Sequence, residues 1–164
     1  KEAKLKSKFN FITEAKPKGT IGGVRILKNK IHNNFFLTNC DTLVNANYNQ
    51  ILKKHTLEKN MITIVAVKKD YKIPYGSCVL NESGSLKEIL EKPIFKLNIN
   101  VGFYVLNYKV LKLIPSKGSF DITDLIKLIL GKGGKIGLYK IKKSSWKDIG
   151  QWTEYKKAMN KIFN

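Results

Sequence analysis

Arginine is almost missing from this chain: of its 31 cationic side chains in 164 residues only Arg25 is one, and the rest are lysine. Carboxylates are scarce as well, 12 in all, which leaves a formal charge of +19 at neutral pH. Cysteine is limited to Cys40 and Cys78, with no CxxC spacing and no neighbouring histidine cluster. That excludes a disulfide scaffold and a zinc site, and it points to a reducing, cytoplasmic setting; either thiol also suits a small buried side chain. No apolar run approaches the roughly 18 residues of a membrane-spanning helix. The longest strongly apolar run, Ile62 to Val67, has the length of a strand. The lysine-rich opening is not followed by an apolar stretch of leader length, so a secreted protein is not the expectation.

What is present is a chain with 43% apolar residues, enough for one domain with a real core. The lysine surplus invites a nucleic-acid reading, because neutralising phosphates favours clustered cations. Two features oppose it. Arginine makes the commonest specific base contact and binds phosphate in bidentate fashion, and the lysines are spread along the whole chain. Fifteen asparagines accompany them, a drift in composition that affects the entire surface. The expectation is a solvated basic surface without a nucleic-acid or membrane partner, exerting a general pull on small anions.

Strand and helix patterns alternate. Phe9 to Thr13 reads as a short strand, and Thr20 is placed to cap a helix through Leu27. Phe35 to Thr38 reads as a buried strand leading into the polar turn Asn39-Cys40-Asp41. Tyr48, Ile51, Leu52 and His55 recur at helical spacing, with His55 expected at the surface. Ile62 to Val67 is β-branched and strand-like. Tyr75 to Leu80, Leu86 to Leu90 and Val101 to Leu106 form three strands with turn signals between them, which implies some antiparallel pairing. Asp121 and Asp124 open a helix that Gly131, Gly133 and Gly134 end. Ile136 to Ile141 is one more strand, and Trp152, Tyr155, Ala158, Met159 and Ile162 make the apolar stripe of a last helix. The whole predicts a three-layer α/β domain on a mixed, mostly parallel sheet.

With so few carboxylates, their positions carry information. Asp41 follows the strand Phe35–Thr38, and Asp148 follows Ser145-Trp146-Lys147. Ligands of open α/β sheets collect beyond the carboxyl ends of strands, and two such carboxylates suit one Mg²⁺, which takes one or two of them together with substrate phosphates. The plainer alternatives are an Asx turn at Asp41 and a helix cap at Asp148. Glu91-Lys92-Pro93 offers opposite charges after a strand, for a sugar hydroxyl and a phosphate, or is an ordinary strand exit. Lys16-Pro17-Lys18-Gly19-Thr20-Ile21-Gly22-Gly23 lets a backbone approach a flat base or a phosphate, although it does not match the GxxxxGK[ST] loop.

Taken in order, these strings resemble the sugar-1-phosphate nucleotidyltransferases, the makers of nucleotide-diphosphate sugars. Phe9 to Glu14 with Lys16 to Gly23 is similar to the family's strand, glutamate and E-x-K-P-L-G-T-A-G segment, and Phe36 to Asp41 to its V-x-N-G-D. Pro74-Tyr75-Gly76, Glu91-Lys92-Pro93, Asn100 to Leu106 and Trp146 to Gly150 match later motifs in register. The resemblance implies a Rossmann-like fold of the nucleotide-diphospho-sugar transferase type. It implies that Asp41 and Asp148 hold the catalytic Mg²⁺, that Lys92 neutralises the sugar phosphate, and that Glu91 accepts sugar hydroxyls. Gly76 and Asn100 fall at sugar-pocket positions, and Gly19 and Thr20 in the segment along base and ribose. The subgroup it resembles most is often joined to CBS modules, and several of its members act on mannose or hexosamine phosphates with GTP. The implied partners are a nucleoside triphosphate and a sugar phosphate, with oligomeric state open.

Two departures follow. Cys40 stands where the family has glycine before the metal aspartate, and nothing matches the family's opening Gly-rich triphosphate loop. Residues 1–164 are therefore expected to be the C-terminal two-thirds of one such domain, inactive alone. Two other readings compete: a non-catalytic regulatory or binding module of the same fold, and a basic nucleic-acid-binding domain.

Overall fold

A computed structural model describes residues 9–150. Its main sheet has four strands in the order β1 (Phe35–Thr38), β6 (Ile94–Leu106), β3 (Ile62–Lys72), β7 (Ile136–Ile141). β6 runs antiparallel to both β1 and β3, while β3 and β7 are parallel. The sheet is mixed, as expected, but among the described residues two of its three pairings are antiparallel, so the parallel share is smaller than predicted. The cause is β6, which returns from an excursion beyond the end of β3 and lies between its neighbours in the reverse direction. Two ribbons complete the strands, β2 (Thr42–Val44) with β8 (Trp146–Asp148) and β4 (Ser77–Leu80) with β5 (Leu86–Leu90), both antiparallel.

The period-2 alternation of β6 divides the core between two faces. Tyr104 and Leu106 pack with Ile21, Ile122, Leu125 and Ile129 on one face. Val101, Phe103 and Val105 pack with Ile51, Val65 and Val67 on the other. Helix α2 (Ile122–Gly131) covers the first face and α1 (Tyr48–Leu57) the second, giving the three layers. Each helix starts on a polar cap. The Asn47 side chain accepts the Gln50 N–H at 3.0 Å, and Asp124 Oδ2 accepts the Asp121 N–H at 3.1 Å.

Several expectations are corrected. Phe9 to Thr13 forms no strand, and Phe11 is 93% exposed; an alternating pattern gives a strand only where a partner ladder is available, and none of the described strands pairs with it. Thr20 caps no helix of its own, since only a 3₁₀ turn, Gly22–Leu27, follows it, and that turn has no side-chain cap. Cys40 and Cys78 are free and exposed rather than buried. His55 is fully buried instead of exposed: one helical turn beyond Ile51, it falls on the face of α1 that meets the sheet. Its Nδ1 lies 2.9 Å from Thr63 Oγ1, which also accepts a bond from Asn60 Nδ2 at 3.1 Å. Burial pushes the His55 pKa below its ordinary value. The helix predicted on Trp152 to Ile162 lies outside the described residues. Among those described, no helix is long and apolar enough to cross a membrane.

Candidate active site

Strand direction places the site. β1, β3 and β7 point the same way, so their carboxyl ends share one edge of the sheet. The chain leaves β1 at that edge through Asn39-Cys40-Asp41 and enters β2. Gly102 of β6, buried and at φ +74°, makes the turn fit: a Cβ there would lie 2.6 Å from Asn39 Nδ2 and 3.2 Å from Thr42 Oγ1. The turn is then tied down, Asn39 N–H to the Gly102 carbonyl at 2.9 Å and the Thr42 hydroxyl to the Val101 carbonyl at 3.0 Å.

The β2–β8 ribbon brings in the second carboxylate. Thr42 stands opposite Asp148, and the Ile149 N–H donates to the Asp41 carbonyl at 2.9 Å. Both side chains, half-buried, turn to Gly150. The position a Cβ on Gly150 would take lies 2.6 Å from Asp41 Oδ2 and 3.2 Å from Asp148 Oδ1. Glycine is thus what keeps the space between the carboxylates open. Asp148 Oδ1 also accepts the Gly150 N–H at 3.1 Å, which fixes its aim. Two converging carboxylates with room beside them fit a hard cation that draws its other ligands from phosphate and water. Among the described residues no third Asp, Glu, His or Cys joins them, a poor donor set for an ion held by protein alone.

The residues expected at a sugar pocket separate into two places. Asn100 lies near the carboxylates at the bulge opposite Ala66, with both ends of its amide engaged: Nδ2 donates to Tyr104 Oη at 2.7 Å, and Oδ1 accepts the Gly102 N–H at 3.0 Å. Gly76, Glu91 and Lys92 gather where the β4–β5 hairpin leaves the sheet. Glu91 Oε2 is 3.3 Å from where a Gly76 Cβ would be, and Glu91 Oε1 is 3.6 Å from Lys92 Nζ, both side chains exposed. Lys92 is held at φ +45°. Measured along β6, this group is about 20 Å of extended strand from Asn100, at ~3.3 Å per residue. Gly19 and Thr20 sit elsewhere again, against the start of α2, in an open cleft of about 280 Å³ that Ile12, Glu14, Gly23, Val24 and Leu27 complete.

Glu14 is the residue to which sequence reasoning gave no role. Its Oε1 is buried with no hydrogen-bond partner among the described residues, and it occupies the space a Cβ on Gly23 would need. The signal in the sequence was its place as the glutamate ahead of Lys16 to Gly23; only the fold shows that it packs on Gly23.

The family model for nucleotidyl transferases matches residues 1–164. The chain belongs to this family. Mannose-1-phosphate guanylyltransferase 1 of Arabidopsis thaliana is 28% identical over 161 residues, covering 94% of this chain and 44% of that protein. The catalytic subunit beta of the mannose-1-phosphate guanylyltransferase of Danio rerio is 27% identical over 164 residues, covering 96% and 45%. This nucleotidyl transferase chain therefore spans less than half the length of these curated relatives. Among solved structures, HddC from Yersinia pseudotuberculosis superposes with a TM-score of 0.69 at 27% identity, covering 98% of this chain and 70% of its own. The α/β Rossmann-like architecture is thus that of the family.

Proposed function

We propose that the full-length protein is a sugar-1-phosphate nucleotidyltransferase that transfers a guanylyl group to a mannose- or glucosamine-type 1-phosphate and releases pyrophosphate. The observation that carries this reading is the convergence of Asp41 and Asp148 on Gly150 in a chain of the nucleotidyl transferase family. Asp41 and Asp148 are the residues that would hold Mg²⁺. When bound, that ion neutralises phosphate charge and orients the two substrates. The chemistry left to the protein is positioning. A sugar-phosphate oxygen attacks the α-phosphorus in line, the bond from that phosphorus to the bridging oxygen breaks, and pyrophosphate leaves. Lys92 supplies countercharge to the sugar phosphate, whose charge otherwise repels that of the triphosphate. Glu91, beside Gly76 where the β4–β5 hairpin leaves the sheet, accepts sugar hydroxyls, and Asn100 stands apart from them on β6, two residues from Gly102.

The choice of guanine is supported by the names of the relatives and by Glu14. An ionised carboxylate only accepts, and the Watson–Crick edge of guanine presents two adjacent donors, N1–H and N2–H. Glu14 lines the cleft beside Gly19 and Thr20, and its carboxylate, whose buried Oε1 has no partner among the described residues, is chemically matched to that edge. The two free, exposed thiols of Cys40 and Cys78 support a cytoplasmic setting.

Pyrophosphate release by the full-length protein, measured with Mg²⁺ across all nucleoside triphosphates and a panel of hexose and hexosamine 1-phosphates, tests the reading. GTP with a mannose- or glucosamine-type phosphate is expected to be fastest. Absence of pyrophosphate from every pair overturns it.

A further inference from the structure

We propose that Asp121 is a positioning residue for the nucleotide: its carboxylate, at the start of α2, fixes Thr20 and with it the cleft wall that receives the base. The inference rests on the guanylyl-transfer reading above. Thr20 donates its N–H to Asp121 Oδ1 at 2.8 Å, across 101 positions of sequence, and its hydroxyl meets the same oxygen at 3.2 Å. Thr20 Oγ1 in turn accepts the Ile122 N–H at 2.9 Å. It thereby satisfies one of the free donors at the start of α2, a service usually given by the helix's own cap.

The surrounding backbone holds this clasp shut. Phe120 donates to the Lys18 carbonyl at 2.8 Å, and Ile21 donates to the Phe120 carbonyl at 3.2 Å. Between them Gly19, at φ +82°, comes so close that a Cβ would stand 2.6 Å from the Phe120 oxygen. Arg25 grips the same loop, its guanidinium donating to the Pro115 and Gly118 carbonyls at 2.9 and 3.0 Å. The one arginine of the chain is thus occupied in joining two loops, through a fork geometry that lysine lacks. Beneath them Ile21 is fully buried against Ile122 and Leu125. Thr20 is therefore set in place before any ligand arrives, which lowers the ordering cost of binding.

In the full-length enzyme, Asp121→Ala is expected to raise the KM for GTP about tenfold, the weight of one charge-assisted hydrogen bond. The KM for the sugar phosphate and kcat stay within about twofold. Asp121→Asn keeps an acceptor oxygen without the charge and is expected to bring the GTP KM to within about threefold of the wild type. Asp121→Ser keeps a cap at the start of α2 while withdrawing the carboxylate from the Thr20 N–H, and serves where Asp121→Ala does not fold. An unchanged GTP KM in the folded variants, or equal rises in both KM values, overturns the proposal. Failure of the functional reading looks different, since the wild type then releases no pyrophosphate. In that case hydrogen exchange at the Thr20 and Ile122 amides decides the clasp: protection lost in Asp121→Ala supports it, and an unprotected Thr20 amide in the wild type overturns it.

Discussion

β3 and β6 are paired along their whole length, yet the two ends of their ladder sit in opposite surroundings. From Ile62 to Val67 and from Val101 to Leu106 nearly every residue is buried, whereas from Lys68 to Lys72 and from Ile94 to Asn100 none is. The β4–β5 hairpin prolongs the exposed end, and Leu86, Ile89, Ile94 and Leu97 all face water there. Backbone hydrogen bonds hold this arm together, while the core end adds burial of large side chains, about 1.5–3 kcal/mol each. The candidate site divides the same way. Asp41 and Asp148 stand at the rim of the buried sheet, and Gly76, Glu91 and Lys92 belong to the arm. Rigidity goes to the carboxylates proposed to share a cation, and exposure to the residues proposed to meet a sugar phosphate.

Substitutions on the two sides should therefore separate. Asp148→Asn in the full-length protein is expected to lower kcat by about a thousandfold or more with the fold unchanged by circular dichroism, since an amide loses the charge that the proposed cation would need. Near-wild-type turnover with Mg²⁺ as the only metal would remove the carboxylate pair from the mechanism. In urea unfolding, Leu106→Ala in the core is expected to cost about 2–5 kcal/mol, and Leu86→Ala on the arm no more than about 0.5 kcal/mol. Equal losses would show that the arm is packed as the core is. Lys92→Ala is expected to raise the KM for the sugar phosphate about tenfold to a hundredfold, with the nucleotide KM unmoved; a change confined to the nucleotide would reassign the arm.

The smallest effect concerns His55. With its pKa lowered in the folded state, the unfolded chain binds the proton more tightly, so the His55 contribution is present above the unfolded pKa of about 6.5 and is lost as pH falls through that value toward the folded one. Melting temperatures from pH 8 to pH 5 are expected to fall less steeply in His55→Gln than in the wild type, and parallel curves would refute the assignment.

Much of the fold is legible locally. Phe35 to Thr38, Leu86 to Leu90 and Ile136 to Ile141 are bounded by turn signals, and their strands end where those signals stand. β6 is longer than expected because Ile94 to Asn100 pairs without being buried, and apolar patterning reports burial rather than hydrogen bonding. Phe9 to Thr13 fails for the converse reason, having the alternation without a partner. The burial of His55 and of Glu14 Oε1 was opaque because a polar side chain is buried by what packs on it, a matter of other segments. Asp41 and Asp148 were visible as strand-end carboxylates, but their shared space was not.

By itself the sequence determined the alternation of strands and helices, the motifs of the nucleotidyl transferase family and the scarcity of carboxylates that made Asp41 and Asp148 conspicuous, because these depend on composition and on spacings of a few residues. Only the tertiary structure decided that the two carboxylates meet over Gly150, that the Gly19–Thr20 segment is clasped by the start of α2, and that Lys92 stands on an arm apart from both. Each of these is a contact between segments far apart in the chain, set by strand register and by the room a glycine leaves, and neither quantity is written in any local stretch of residues.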